Sequence, residues 1–255
     1  MAHHTYIPCD ALKPYISALA ISEGGAGSTY KVLPGTGLVL GFQYSGRVAH
    51  IAGGSEMKLS TAGITGLHGG YRVYKSDAGT GTLLVYFRDG GAAAFFSYPL
   101  HELFGESVSL EQFMLRSELL VLEEQLLEAP THTAKIQVAE QFLTGRLQHT
   151  APDALAMAAV AIIHRCKGNI RIKDLALQLH TSASPLEKRF RQAIGTSPKK
   201  FASIVRMKHA IAAYTPGTPL TALGYHSGFY DQAHFIKEFR SFTGDAPEAF
   251  FKTGE

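Results

Sequence analysis

Cysteine is nearly missing from this 255-residue chain: Cys9 and Cys166 are the only two, one in each half. That excludes a disulfide framework and suits a reducing compartment. Apolar runs near the ~20 residues of a membrane-spanning helix are also missing, as is an N-terminal stretch joining a basic flank to an apolar core. The expectation is a soluble, cytoplasmic protein with no membrane partner. Motifs that carry common chemistries are absent too: there is no Gly-x-Ser-x-Gly, no His-Glu-x-x-His and no Gly-x-x-x-x-Gly-Lys. His50, Glu56 and His68 are spaced too loosely for a compact metal-ligand set, and Cys9 has no basic neighbour to activate it. Catalysis, a resident metal and a cofactor are therefore not expected.

Two asymmetries remain. Residues 158–255 carry 14 Lys and Arg against 7 Asp and Glu, whereas residues 1–157 carry 10 against 14. A basic tail on an acidic body points to a polyanionic partner for the tail alone. Glycine is concentrated the other way, with 18 of 26 in residues 1–105. There the runs 37–44, 48–52, 71–74 and 82–87 are β-prone and broken by turn signals, which predicts an antiparallel sandwich or barrel. From Ser109 the spacing becomes helical. Leu110, Phe113, Met114, Leu119, Leu122, Leu126 and Leu127 form one stripe; Ile136, Val138, Ala139, Phe142 and Leu143 form another. These stripes either pack on the sheet or pair with a second copy. Gly90-Gly91 before three alanines reads as a turn before a packed helix, or as amides that meet an anion. The fold class is α+β in two domains: residues 1–148, a linker at 149–156 with Asp153 able to cap the next helix, and an all-α module at 157–255 with two helix-turn-helix units.

Those two units are a repeat. Leu186, Lys188, Phe190, Arg191, Gly195, Pro198 and Phe201 recur 49 positions later as Phe235, Lys237, Phe239, Arg240, Gly244, Pro247 and Phe250. A repeat of this length is one supersecondary unit used twice. In the first copy, Ile172–Leu179 is a short helix, His180-Thr181-Ser182 a tight turn, and a second helix runs from about Ser184 to Ile194, with Gly195 stopping it. In the second, Leu220–His226, a turn one residue longer, and Gln232–Phe242 play the same parts, with Asp231 where Ser182 sits. A longer helix from Pro198 to Tyr214 connects them.

Leu175-Ala176, Ser182, Leu186, Phe190, Gly195, Ser197-Pro198 and Arg206, then Gly228-Phe229, Asp231-Gln232-Ala233-His234-Phe235, Phe239-Arg240, Gly244 and Pro247, resemble the AraC/XylS family of bacterial transcription regulators over about residues 155–252. Gly224, where the family usually has Ala, and Ser227, where it has an apolar residue, depart from the pattern; Gly224 is expected to loosen its helix. The resemblance implies a seven-helix module whose second helix in each unit lies in a major groove of double-stranded DNA, the two about one turn, ~34 Å, apart. Ser184, Glu187, Lys188 and Arg191 share one face of the first reading helix; Gln232, Ala233, Ile236, Lys237 and Arg240 belong to the second. Lys and Arg donate to guanine or phosphate, and Ala233 and Ile236 suit a thymine methyl. Ser184 to Glu187 equally fits a capping box with Pro185 at N1, and Arg206 fits an internal salt bridge.

Residues 8–147 bear a fainter resemblance to the sensor-like domains of such regulators, carried by Tyr30–Gly35, Tyr86–Phe96 and Leu103–Leu110. The resemblance implies a small-molecule effector or a homodimer partner there, and contact with RNA polymerase in activation. Phe42, Tyr44, Tyr71, Tyr74 and Tyr86 are the candidate lining of an effector pocket, against the reading that they fill a sandwich core. Two rival readings stay open: a constitutive DNA binder whose N-terminal half only dimerises, and a β-barrel enzyme or ligand binder carrying a DNA-binding tail.

Overall fold

The computed structural model describes residues 2–148 and 151–253. Ten strands form two antiparallel sheets. The large sheet has the order β1 (Ala2–Tyr6), β2 (Ile16–Gly24), β9 (Thr80–Phe87), β4 (Val39–Ser45), β7 (Ala62–Thr65), β10 (Ser107–Ser109). The small sheet runs β3 (Ser28–Val32), β8 (Arg72–Ser76), β5 (Val48–Ala52), β6 (Ser55–Lys58). The β-prone runs of the sequence became β4, β5, β8 and β9. Strands β1, β2, β3, β6, β7 and β10 gave no comparable signal, because small and polar residues dominate them.

Side chains alternate across a strand, and the large sheet uses its two faces differently. Leu19, Ile21, Leu40, Phe42, Leu83 and Val85 face outward from the sandwich and are at most 1% exposed. They are covered by α1 (Arg116–Glu128) and α2 (His132–Thr144), with Phe42 edge-on to Phe142 at 6.1 Å. Both apolar stripes thus pack against the sheet, except that Leu127 turns outward and is 66% exposed. Residues 110–112 form a short 3-10 turn, so the first stripe is helical only from Arg116.

The carboxyl-terminal part has seven helices among the described residues: α3 (Ala154–Arg165), α4 (Ile172–Gln178), α5 (Ala183–Ile194), α6 (Pro198–Ala212), α7 (Leu220–His226), α8 (Gln232–Thr243) and α9 (Pro247–Thr253). Asp153 caps α3 through the Ala156 amide at 2.9 Å. Residues 154–156 are therefore helix rather than linker, and His149 and Thr150 lie outside the described residues. No helix among the described residues is long and apolar enough to cross a membrane.

The core does not stop at this boundary. One continuous cluster includes Leu67, Leu100 and Leu103 of the sandwich half and Leu186, Phe190, Ile194 and Phe201 of the first repeat. Gly90 sits against Ile194 and Met157, in a plain turn before the buried 3-10 segment Gly91–Ala94. Asp89 meets His164 at 2.6 Å. The second repeat has a separate cluster built on Phe229, Phe235, Phe239 and Phe242.

Candidate nucleic-acid interface and effector cavity

Each repeat presents one amphipathic second helix. In α5, Leu186, Phe190 and Ile194 are fully buried, and Ser184, Glu187, Lys188 and Arg191 are exposed together. The helix begins at Ala183 with Ser182 as N-cap, so the capping box at Ser184 does not form and Ser184 is free on the exposed face. In α8, Phe235 and Phe239 anchor the helix, and Gln232, Ala233, Lys237 and Arg240 are exposed. Ile236 is half-buried against the second cluster, which leaves only its edge for a partner. Asp231 caps α8 through the His234 amide at 2.7 Å. Glycine closes both helices in the left-handed region, Gly195 at φ +100° and Gly244 at φ +85°.

Charge on this surface is unspent. Lys188, Lys237 and Arg240 have no carboxylate partner among the described residues, and Arg191 has only a 3.7 Å contact with Glu187. Arg206, expected to form an internal salt bridge, instead lays its guanidinium over the Phe229 ring at 4.4 Å, with its Nε buried and unpartnered. Phe229 stands in the turn of the second unit, so Arg206 ties α6 to that turn. The extra residue of the longer turn is Tyr230, 94% exposed beside α8.

Between the two sheets lies a cavity of about 790 Å³, within the range of ligand pockets. It exists because the inner face of the large sheet carries Ser22, Gly41, Gln43, Gly63 and Thr82, too small or too polar to fill it. Of the five expected lining residues, Tyr74 and Tyr86 are there. Phe42 and Tyr44 are on the opposite face of β4: Phe42 in the helix-covered core, Tyr44 donating to Glu23 Oε1 at 2.6 Å with the Lys135 ammonium 4.5 Å over its ring. Strand parity separates them from Gly41 and Gln43. Tyr71 is at the junction of the halves, against Gly244 and 5.4 Å from Lys31 Nζ. The aromatic count of the strands missed this split; the alternation in Leu40-Gly41-Phe42-Gln43 held the signal.

Lining residues also come from the other half of the chain: Lys208, Ile211 and Ala212 of α6, and Phe242 of α8. Nothing in the sequence pattern pairs them with the strands. Gln43 is saturated by Ser60 O at 2.6 Å, Leu59 O at 3.3 Å and the Val48 amide at 2.7 Å. His68, 9% exposed, holds Gly70 O through Nδ1 at 2.6 Å. Burial, then Arg72 and His50, push its ionisation below the usual histidine range despite that bond.

Two solvent-facing, basic second helices on duplicated units define a helix-turn-helix protein. Residues 175–253 match the family described as helix-turn-helix domain, and residues 4–109 match a domain of unknown function, DUF6597. A stretch of 155 residues is 27% identical to the Msm operon regulatory protein of Streptococcus mutans, covering 59% of this chain and 55% of that relative. The match thus spans about half the relative's length. Among solved structures, the fold is similar to ToxT of Vibrio cholerae with an unsaturated fatty acid bound (TM-score 0.47, 13% identity, 93% of this chain and 96% of that one). It is also similar to the C-terminal domain of AraT, a response regulator of Geobacillus stearothermophilus (TM-score 0.38, 19% identity, 41% and 88%). Residues 175–253 are thus a helix-turn-helix domain, as the repeat implied.

Proposed function

We propose that this protein is a cytoplasmic, non-enzymatic, sequence-specific DNA-binding regulator whose grip on DNA is set by an effector held between the two β-sheets. The observation that carries it is the cavity rim: α6, which joins the two reading units, supplies Lys208, Ile211 and Ala212 to it. A ligand that touches α6 in one arrangement of the units and not in another shifts the balance between them. We assign residues 1–148 to sensing, 149–153 to the linker and the remainder to DNA. Ser184, Glu187, Lys188 and Arg191 face one major groove; Gln232, Ala233, Lys237, Arg240 and the edge of Ile236 face the next. A second copy and RNA polymerase are the natural further partners of such a regulator.

Selection of bound genomic fragments by the purified full-length protein yields its site. On that site, Lys188→Ala and Lys237→Ala should each weaken binding about tenfold, the loss of one base or phosphate contact. Loss from the first with no effect from the second would mean that one unit alone reads DNA. Affinity unchanged by every cavity ligand would favour the constitutive binder.

A further inference from the structure

We infer that the cavity takes a flat, uncharged, ring-containing molecule bearing hydroxyl or carbonyl oxygens. The inference rests on reading the cavity as the effector site and adds the chemical class. Its first support is a ladder of rings. Tyr30 on β3, Tyr74 on β8 and His50 on β5 occupy one register row of the small sheet. Their ring centroids are 6.1 Å apart for Tyr30 and Tyr74, and 5.5 Å apart for Tyr74 and His50. Glycines 41 and 63 of the large sheet line the same space. Tyr30 and Tyr74 of that row line the cavity from the small sheet, Leu84 and Tyr86 line it from the large one, and the two glycines leave room between them, so a flat ring held there gains stacking contact with the tyrosines.

The polar groups set the rest. Among the described residues, the hydroxyls of Tyr30, Tyr74 and Tyr86 have no hydrogen-bond partner, although Tyr74 is only 8% exposed. These hydroxyls open on the cavity, where hydroxyl or carbonyl oxygens of a ligand can bond to them. His68 adds an acceptor: its Nδ1 must donate to the Gly70 carbonyl, which leaves the Nε2 lone pair for a ligand hydroxyl.

No Asp, Glu or Arg lines the cavity, and its only lysine, Lys208, is exposed at the rim. Arg72, buried behind the lining residue Ser107, is not itself part of the lining and donates to Ser107 Oγ at 3.0 Å and to the Gly105 carbonyl. A ligand charge would therefore be desolvated with no fixed counter-charge inside.

The test uses the full-length protein with naringenin and resveratrol as ring probes and decanoate as a charged chain. The chain has no tryptophan, so quenching of tyrosine emission reports occupancy directly, alongside the shift in melting temperature. Both ring probes should bind, and Tyr74→Phe and Tyr86→Phe should each weaken them about fivefold, the worth of one hydrogen bond. Gly41→Leu, which fills the cavity from the large sheet, should abolish binding while the ligand-free protein still melts cooperatively. Failure of both ring probes to bind overturns the inference, as does binding unmoved by Gly41→Leu. If decanoate alone binds, is lost in Gly41→Leu and changes DNA affinity, the class is wrong and the effector reading stands. If the ring probes bind as expected and leave DNA affinity unchanged, the class stands and the effector reading falls.

Discussion

Gly224 and Phe235 are one decision made by two residues. In the first unit the equivalent positions hold Ala176 and Leu186, a larger residue on the short helix and a smaller one on the second helix. A β-carbon at Gly224 would stand 3.2 Å from Phe235 Cβ and Cγ, and Phe235, fully buried, is held by Phe229 and Phe239 at 5.1 and 5.6 Å. The glycine thus admits the larger ring, and the expected loosening of α7 is offset by packing. Gly224→Ala should destabilise by about 1 kcal/mol, the cost of mild overpacking. Adding Phe235→Leu should recover part of that loss, a non-additivity that a double-mutant cycle in urea measures. His68 carries a different prediction. Its ionisation is lowered in the folded protein, so the unfolded chain binds the proton more readily. Its contribution is fully present above about pH 6.5, the ordinary histidine value, and is lost as pH falls from there toward the folded value. The drop in melting temperature between pH 7 and 5.5 should shrink in His68→Gln.

At the scale of elements, the reading helices are fixed from both ends. Asp153 caps α3 and also takes Arg189 Nε of α5 at 2.8 Å, so one carboxylate orients two helices. Burial opposes its ionisation, but the Arg189 bond and the backbone amides of Ala156 and Leu155 together hold it below the usual aspartate range. That stability is present above about pH 4 and is lost as pH falls through the lowered value. Asp153→Ala should cost about 1 kcal/mol for the cap alone, and Asp153→Asn less, because asparagine still caps. Thermal melts at pH 7 separate the two. At the other ends, a β-carbon on Gly244 would be 2.7 Å from the Tyr71 ring, and one on Gly195 would be 3.2 Å from the Leu100 carbonyl. Gly244→Ala meets both a positive φ and that ring. It should destabilise by more than about 1 kcal/mol, and Tyr71→Ala should relieve the steric part, as urea unfolding would record. Both second helices therefore end against the sandwich half.

For the whole molecule, the shared core has a consequence. Leu186, Phe190 and Ile194 belong to a cluster that also contains Leu67, Leu100 and Leu103. A fragment of residues 151–255 would expose apolar surface on its first unit, whereas the second cluster would lose only the packing of Leu33 and the cavity face of Phe242. It should melt at a lower temperature than the intact protein, with the second unit the more stable, as hydrogen exchange of α5 against α8 would report. Binding of the intact chain to duplex DNA should weaken steeply between 50 and 200 mM salt, since its unpaired lysines and arginines displace counterions. A flat salt dependence would count against a phosphate-dominated contact.

The sequence by itself determined what is local. Glycine at 195 and 244, buried aromatic residues four apart, and free basic residues on the other face specify an amphipathic helix after a turn, and the repeat says so twice. It determined four strands wherever β-branched and aromatic residues ran together, and passed over those made of small and polar residues. Only the tertiary structure decided which tyrosines face a cavity, because a one-residue step reverses every side chain on a strand and aromatic character is the same on both faces. It alone brought Lys208, Ile211 and Phe242 to strands more than a hundred residues away, and joined the first repeat to the sandwich core. Such contacts depend on how separate surfaces meet, which no spacing along the chain records.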